Sequence, residues 1–313
     1  MKTKTMKPIT NLLFTLVLIT TASCQEVRTV KITVTEEDGA PIEGANTIVT
    51  FLGYRGEDTV RKKGLTNAQG ISKTRGATSG RMSTKIEKEG YYASRSGRLS
   101  RNKDHDLTYV LRKIKKPIPM YVRKFRGRIP MAGKACGFDF EVGDWVAPHG
   151  LGKRIDMLIK GNKEVKTRND WKGEVTLSFP NKHDGIQKDD KWFDYSEFKS
   201  SRKAPLEGYL PDEQLLSKQH PKNGYKGSSL PKNYLVRTRS QVNSKGEIVT
   251  AFYSKIIGGV EVIVGLHKDS RKSPPSVAFT YYFNPTPNDR NLEFDPKRNL
   301  FKNLDSTEQV HEP

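Results

Sequence analysis

Residues 27–35 alternate strictly: Val30, Ile32 and Val34 fall on one side of an extended chain, with Thr29, Lys31 and Thr33 on the other. That period of two marks a strand with one buried face, and a helix cannot present it. The pattern recurs along the chain. Phe138, Phe140 and Val142 alternate with Asp139 and Glu141. Ile155, Met157 and Ile159 do the same, as do Val175, Leu177 and Phe179, and then Val277, Phe279, Tyr281 and Phe283. Gly, Asn, Asp and Pro break these runs, so the chain is expected to be all-β. Gly258-Gly259, between Val249–Ile257 and Val260–Val264, predicts a two-residue hairpin. One short helix fits within Pro211–Gln219. The polar segment from Asn181 to Lys232 reads as one long loop excursion, and loops of that length are usually functional or mobile.

Two parts are expected. In the first, Glu36–Pro41 is a turn, Gly44–Phe51 a second strand, and Met82–Glu87 and Leu107–Leu111 later strands. The succession Asp38-Gly-Ala-Pro-Ile-Glu-Gly-Ala45, Leu65-Thr-Asn-Ala-Gln-Gly70 and Glu89-Gly-Tyr-Tyr92 resembles the carboxypeptidase regulatory-like domains. The resemblance covers residues 27–114 and implies a prealbumin-like sandwich with no peptidase activity of its own. Gly39 and Gly70 suit turn positions with positive φ, and Gly44 a tight turn into the next strand. Residues 55–63 depart from the simplest versions in being longer and charged. Residues 115–128, with Pro117 and Pro119, read as a basic linker or edge strand, because proline removes ladder donors. Residues 129–313 form a second, larger β-sandwich-like domain with long loops.

The amino terminus carries Lys2, Lys4 and Lys7, then an apolar stretch over Leu12–Ile19 and the small residues Thr20–Ser23. That is the layout of a secretory signal peptide, 1–23. Its core of about eight residues is far short of the roughly 20 needed to span a bilayer. Ala22-Ser23-Cys24 resembles the end of a bacterial lipobox, which implies cleavage before Cys24 and acylation of its thiol, with 24–26 as the anchor. Each buried methylene then contributes about 0.8 kcal/mol of membrane affinity. Thr21 departs from the leucine that the pattern usually carries there. Gln25, where retained lipoproteins have Asp, favours the outer membrane or cell surface, with the periplasmic face as the alternative. Ordinary cleavage would instead leave Cys24 free to pair with Cys136, the only other cysteine. With Cys24 acylated, Cys136 reads as a small buried hydrophobe.

The formal net charge is +20. Twelve Lys or Arg lie between Arg61 and Lys103 against Glu87 and Glu89, and eight lie between Arg112 and Arg128 with no acid. In an exported protein these cations meet membrane headgroups, anionic envelope polymers or glycans rather than nucleic acid, or serve only as a solvated surface.

No catalytic signature stands out. None of the six histidines has Glu three residues on, so the carboxypeptidase zinc pair is absent. Ser196-Glu-Phe-Lys199 and Ser200-Ser-Arg-Lys203 fit Ser-x-x-Lys without the partner motifs of the penicillin-binding enzymes. Three segments remain. Asn181, Asp184, Asp189, Asp190 and Asp194 surround Trp192, Phe193 and Tyr195, either as a sugar platform braced by calcium or as a solvated loop pinned by its aromatics. Trp192, Tyr195, Asp184, Asp189 and Asp190 are the candidate ligand residues. Asn284–Asn291, near Glu293 and Asp295, reads as capped turns. Gly143–Lys153 carries Trp145, His149 and Lys153 in a glycine-bearing loop, with Trp145 expected in the core. The expected role is a non-catalytic, lipid-anchored envelope protein that binds or spaces. A carbohydrate-binding lipoprotein is the alternative and an exported hydrolase the less favoured one, with no metal or cofactor.

Overall fold

The computed structural model describes residues 26–53, 58–227, 233–267 and 272–313. Cys24 and the 1–23 segment lie outside the described residues. The described chain is built of strands and contains no helix.

The first strands are β1 (Glu26–Thr35), β2 (Asn46–Phe51), β3 (Val60–Leu65), β4 (Ile71–Thr78) and β5 (Met82–Glu87). They are followed by β6 (Tyr91–Tyr92), β7 (Ser94–Leu99), β8 (His105–Val110) and β9 (Arg112–Lys113). One sheet runs β4-β1-β8 and the other β3-β2-β5-β7, with β6 and β9 forming a small ribbon. Val30, Ile32 and Val34 of β1 are fully buried against Val49 and Phe51 of β2 and Met82 and Ile86 of β5. The face expected from the alternation is therefore the core of a β-sandwich. Gly70 takes φ +73°, and a Cβ there would sit 2.4 Å from the carbonyl oxygen of Val34, so only glycine fits that turn.

The second group comprises β10 (Ile118–Arg128), β11 (Ala135–Asp139), β12 (Asp144–Trp145), β13 (Met157–Thr167), β14 (Asp170–Ser178) and β15 (Gly185–Lys188). It continues with β16 (Asp212–His220), β17 (Gly224–Gly227), β18 (Asn233–Val242), β19 (Ile248–Ile263), β20 (Ser276–Asn284) and β21 (Phe294–Asn299). Sheet β15-β18-β19-β20-β10-β21 packs on sheet β12-β11-β13-β14-β16-β17. Phe125, Phe138, Phe140, Trp145, Phe279, Tyr281 and Phe283 fill the space between them, and free Cys136 is buried there too. The opposite face of the β18–β19–β20 region is covered as well. Met120, Val122, Tyr282, Phe294 and Val310 form one cluster on that side, and Ala204, Leu235, Ala251, Tyr253 and Leu292 another.

Four details differ from expectation. Residues 118–128 are no linker or edge strand: β10 lies between β20 and β21. Pro119 is accommodated because the β10–β21 ladder shifts register between Ile118 and Met120. Gly258-Gly259 makes no hairpin. Both residues have positive φ and form a bulge within the single strand β19, which keeps pairing with β20 on either side. Residues 212–220 are strand β16, because eight rungs from Trp171↔Gln219 to Ser178↔Asp212 complete the ladder of β14. Short strands β15, β16 and β17 therefore occupy much of what reads as one long loop.

Candidate functional site

Residues 181–203 leave β14, contribute β15, and cross to the first sandwich. Two of their acids hold the path. Asp184 is buried and accepts the backbone N–H groups of Arg239 (3.0 Å) and Ser240 (2.9 Å). Asp189, also buried, accepts Lys191 N–H (3.1 Å), Ser201 N–H (2.7 Å) and the Ser201 hydroxyl (2.6 Å), closing the loop at its base. Asp190 is exposed. Among the described residues no group of three or more His, Cys, Asp or Glu stands close enough to hold a metal ion.

The aromatic tip docks instead of standing free. Trp192 is half-buried, and its indole N–H donates to the Asp194 carboxylate while the Lys199 ammonium lies 5.6 Å from its ring. Tyr195 is 48% exposed, takes φ +69°, and packs its ring 5.3 Å from Tyr109 of β8. Around it the loop pairs with the first sandwich like a strand. Arg95 N–H donates to the Tyr195 carbonyl (2.8 Å) and Glu197 N–H to the Ala93 carbonyl (2.9 Å). Arg95 and Glu197 also form an ion pair at 2.9 Å. Phe198 is fully buried, 5.3 Å from the ring of Tyr92.

Arg112 of β9 anchors this contact. Only 2% exposed, it donates from Nη1 to the carbonyls of Phe198 and Ser200 (2.7 Å each) and from Nε to Glu37 (2.9 Å). Its guanidinium lies between the rings of Phe193 (3.9 Å) and Phe198 (4.2 Å). A planar guanidinium suits that slot, since its faces stack on aromatics while its edge donates. Beside it, Glu293 accepts the N–H groups of Lys115 (2.8 Å) and Lys116 (3.1 Å) and the Tyr92 hydroxyl (2.9 Å), and pairs with Arg202 at 2.8 Å. The segment joining the two sandwiches is thus held by hydrogen bonds that reach both of them.

Burial alone would raise the pKa of Glu293, but these donors outweigh it and the net shift is below the ordinary 4.5. A carboxyl whose pKa falls on folding contributes stability above its unfolded value and loses it as pH drops through the folded one. Glu293→Gln is therefore expected to flatten the acid limb of stability below about pH 4.5 in urea titrations; a limb of unchanged slope would contradict this.

Lys255 lies under the same loop and is fully buried. Its ammonium donates to Ser200 Oγ (3.2 Å) and stands 4.6 Å and 4.4 Å from the rings of Phe198 and Tyr282. Burial drives its pKa well below 10.5, and the charge of Arg112 adds to the effect. Because the amine sheds its proton more readily folded than unfolded, it lowers stability near neutrality and ceases to do so as pH rises toward 10.5. Lys255→Met is expected to raise stability by about 1–4 kcal/mol at pH 7, with the gain shrinking toward pH 10. Denaturant midpoints across that range check it, and a destabilised variant would contradict it.

With this geometry in view, similarity to known proteins adds little. No protein-family model matches the chain, and no curated protein does. Among solved structures, the shaft pilin spaA of Lactobacillus rhamnosus GG aligns at 11% identity over 73% of this chain and 93% of that one, with a TM-score of 0.20. A candidate carbohydrate-binding protein of Bacteroides uniformis aligns at 9% identity over 84% and 98%, again with a TM-score of 0.20. A streptococcal ancillary pilin aligns at 9% over 72% and 58%, also at 0.20. Scores of this size carry no argument about topology or role.

The other two sequence-marked segments serve structure. Trp145 is in the core, and Lys153 N–H caps Asp139 at 2.8 Å. Asn284 and Asp289 accept backbone N–H groups two residues on, as capped turns require. Neither Arg112 nor Lys255 belongs to a motif, and Glu293 stands out in the sequence only as an acid beside the Asn284–Asn291 turns. Lys255 leaves a trace, since it shares the alternation of Ala251, Tyr253 and Ile257, where an apolar residue would be expected. A further aromatic pair was also unmarked. Trp171 of β14 and Tyr225 of β17, the latter 65% exposed, have ring centroids 6.1 Å apart across the Gln219 position of β16.

Proposed function

We propose that this chain is a non-catalytic cell-envelope protein, exported and anchored through acylated Cys24, whose two β parts act as one stiff binding or spacing arm. In this reading residues 27–114 are a carboxypeptidase regulatory-like module and β10 belongs to the larger domain that follows it. The observation supporting stiffness is the buried Arg112, which joins strand β9 to the carbonyls of Phe198 and Ser200. A mobile hinge would leave such groups in water, because buried donors and acceptors need fixed partners. Solution scattering should therefore fit a single rigid shape. A profile that requires independently moving domains would remove the spacer role. The anchor is tested separately: labelled fatty acid should enter the wild-type protein and not Cys24→Ala, with the variant moving from the detergent to the aqueous phase.

Glycan binding is a second reading, and the Trp171–Tyr225 pair favours it, because exposed aromatic faces stack on the apolar faces of sugar rings. Retention on polysaccharide should drop in Trp171→Ala/Tyr225→Ala. Trp192→Ala/Tyr195→Ala should mainly loosen the loop's docking. Loss of retention in the second pair alone would return the site to the 181–203 loop.

A further inference from the structure

One hollow of the first sandwich is lined by arginine and by no described acid. Arg81, Arg98 and Arg101, with Ser79, Gly80, Leu99, Ser100 and Asn102, line a shallow, open depression of about 520 Å³. Arg81 and Arg98 are exposed, and among the described residues neither has a carboxylate partner within ion-pair distance. Two of the described carboxylates on neighbouring segments are engaged elsewhere. Glu26 pairs with Arg28, and Asp104 accepts Thr29 N–H at 2.8 Å. Among the described residues the buried Ser79 hydroxyl has no hydrogen-bond partner. Such a group is costly unless something outside the fold satisfies it.

The floor is rigid. Gly80 N–H and the Thr78 hydroxyl both donate to the Leu52 carbonyl (2.9 Å each), and Leu52 N–H donates to Arg81 O (3.1 Å). A side chain at Gly80 would place its Cβ 2.9 Å from Leu52 O. Arg101 Nη1 donates to Ser79 O (2.5 Å), and its own carbonyl accepts Arg28 Nε (2.7 Å).

Its position decides the ligand. Glu26, two residues after Cys24 in sequence, pairs with Thr78, which directly precedes Ser79. The hollow is therefore at the end of the sandwich from which the chain leads to the anchor. Guanidinium forks match phosphate oxygens in a way single ammonium charges do not. We propose that Arg81, Arg98 and Arg101 form a docking surface for the phosphate headgroups of the membrane that carries the acyl chains, setting the sandwich against the bilayer. This rests on the lipid-anchor reading. One lipid signal plus a basic patch is also how weak anchors become stable ones.

The test uses unacylated protein beginning at Gln25, which retains every described strand. It is expected to bind vesicles of phosphatidylglycerol mixed with phosphatidylcholine, and not pure phosphatidylcholine, with affinity falling as salt rises. Arg81→Glu/Arg98→Glu should weaken binding by roughly tenfold or more, from two cations lost near an anionic surface. Lys218→Glu/Lys226→Glu, which reverses two charges on β16 and β17 of the second domain, should leave it intact. Equal losses in the two variants would reduce the effect to bulk charge and overturn the proposal. So would absent vesicle binding, or loss of binding to soluble dextran sulfate with vesicle binding unchanged. Thermal melts establish that the variants fold. Acylation of Cys24 is read independently by intact mass, so either claim can fail without the other.

Discussion

Arg112→Ala is expected to destabilise the protein by about 3–5 kcal/mol and to uncouple its two parts, giving two thermal transitions in place of one. The size follows from what the side chain leaves behind. The carbonyls of Phe198 and Ser200 lose their donor in a buried setting, the Glu37 carboxylate loses its nearest cation, and Phe193 and Phe198 face a void. An unsatisfied buried acceptor alone costs about 1–3 kcal/mol. Arg112→Lys should recover only part of the loss, since one ammonium cannot serve two carbonyls and stack between two rings. Hydrogen exchange should rise over residues 193–203 and 91–95 in both variants and little elsewhere. A loss below about 1 kcal/mol with a single transition would show that the two parts are held by other means.

Arg239→Met is expected to cost a similar amount, within the larger domain alone. Arg239 lies at a bulge of β18 with φ +55° and reaches across to the other sheet. There it binds Asp156 through Nε (2.7 Å) and Nη2 (2.9 Å), and Glu141 through Nη1 (2.8 Å). Phe252 and Phe283 lie beneath its guanidinium at 5.4 Å and 4.7 Å. Burial pulls the arginine pKa down, but Asp156 and Glu141 outweigh it and the net shift is upward, so the group stays charged. Asp156 is completely buried, and burial is the main influence on its pKa, directed upward. Removing Arg239 strands that carboxylate, and breaking a buried pair from one side typically costs about 3–5 kcal/mol. Two controls separate this from a simple packing loss. Arg239→Met/Asp156→Asn should regain part of the stability, because the amide oxygen still accepts Phe140 N–H. The single variant should also lose less at low pH, since a buried carboxyl with a raised pKa opposes folding increasingly as pH climbs from its unfolded value, near 3.8, toward the raised one. A loss independent of pH and unrelieved by the second change would contradict the account.

Strand alternation was legible in most runs: the buried set Val30, Ile32, Val34 is the one the period of two selects, and so is Phe138 with Phe140, whereas Ile155, expected on one face with Met157 and Ile159, precedes β13 and is 40% exposed. Context overrode local signals at three places. Gly258-Gly259 carries hairpin chemistry, yet β20 pairs with β19 on both sides of it, so a bulge costs less than ending the ladder. Pro119 looked incompatible with an inner strand, but the irregular β10–β21 pairing asks no donor of it. Residues 212–220 have no strong preference of their own and take the form that β14 requires. In the nominated loop, composition identified Trp192, Tyr195, Asp184 and Asp189 as unusual without revealing where the loop docks.

Thus sequence by itself determined the strand class, most inward faces, and the turns that only glycine permits, because backbone sterics and side-chain alternation act over a few neighbouring residues. Tertiary structure alone decided the rest: that Arg112 meets Phe198 and Ser200, that Lys255 is sealed beneath them, and that Arg81, Arg98 and Arg101 share one hollow near the start of β1. Those meetings depend on how sheets stack and loops cross. They are long-range consequences of burying apolar surface, and no local pattern of residues encodes them.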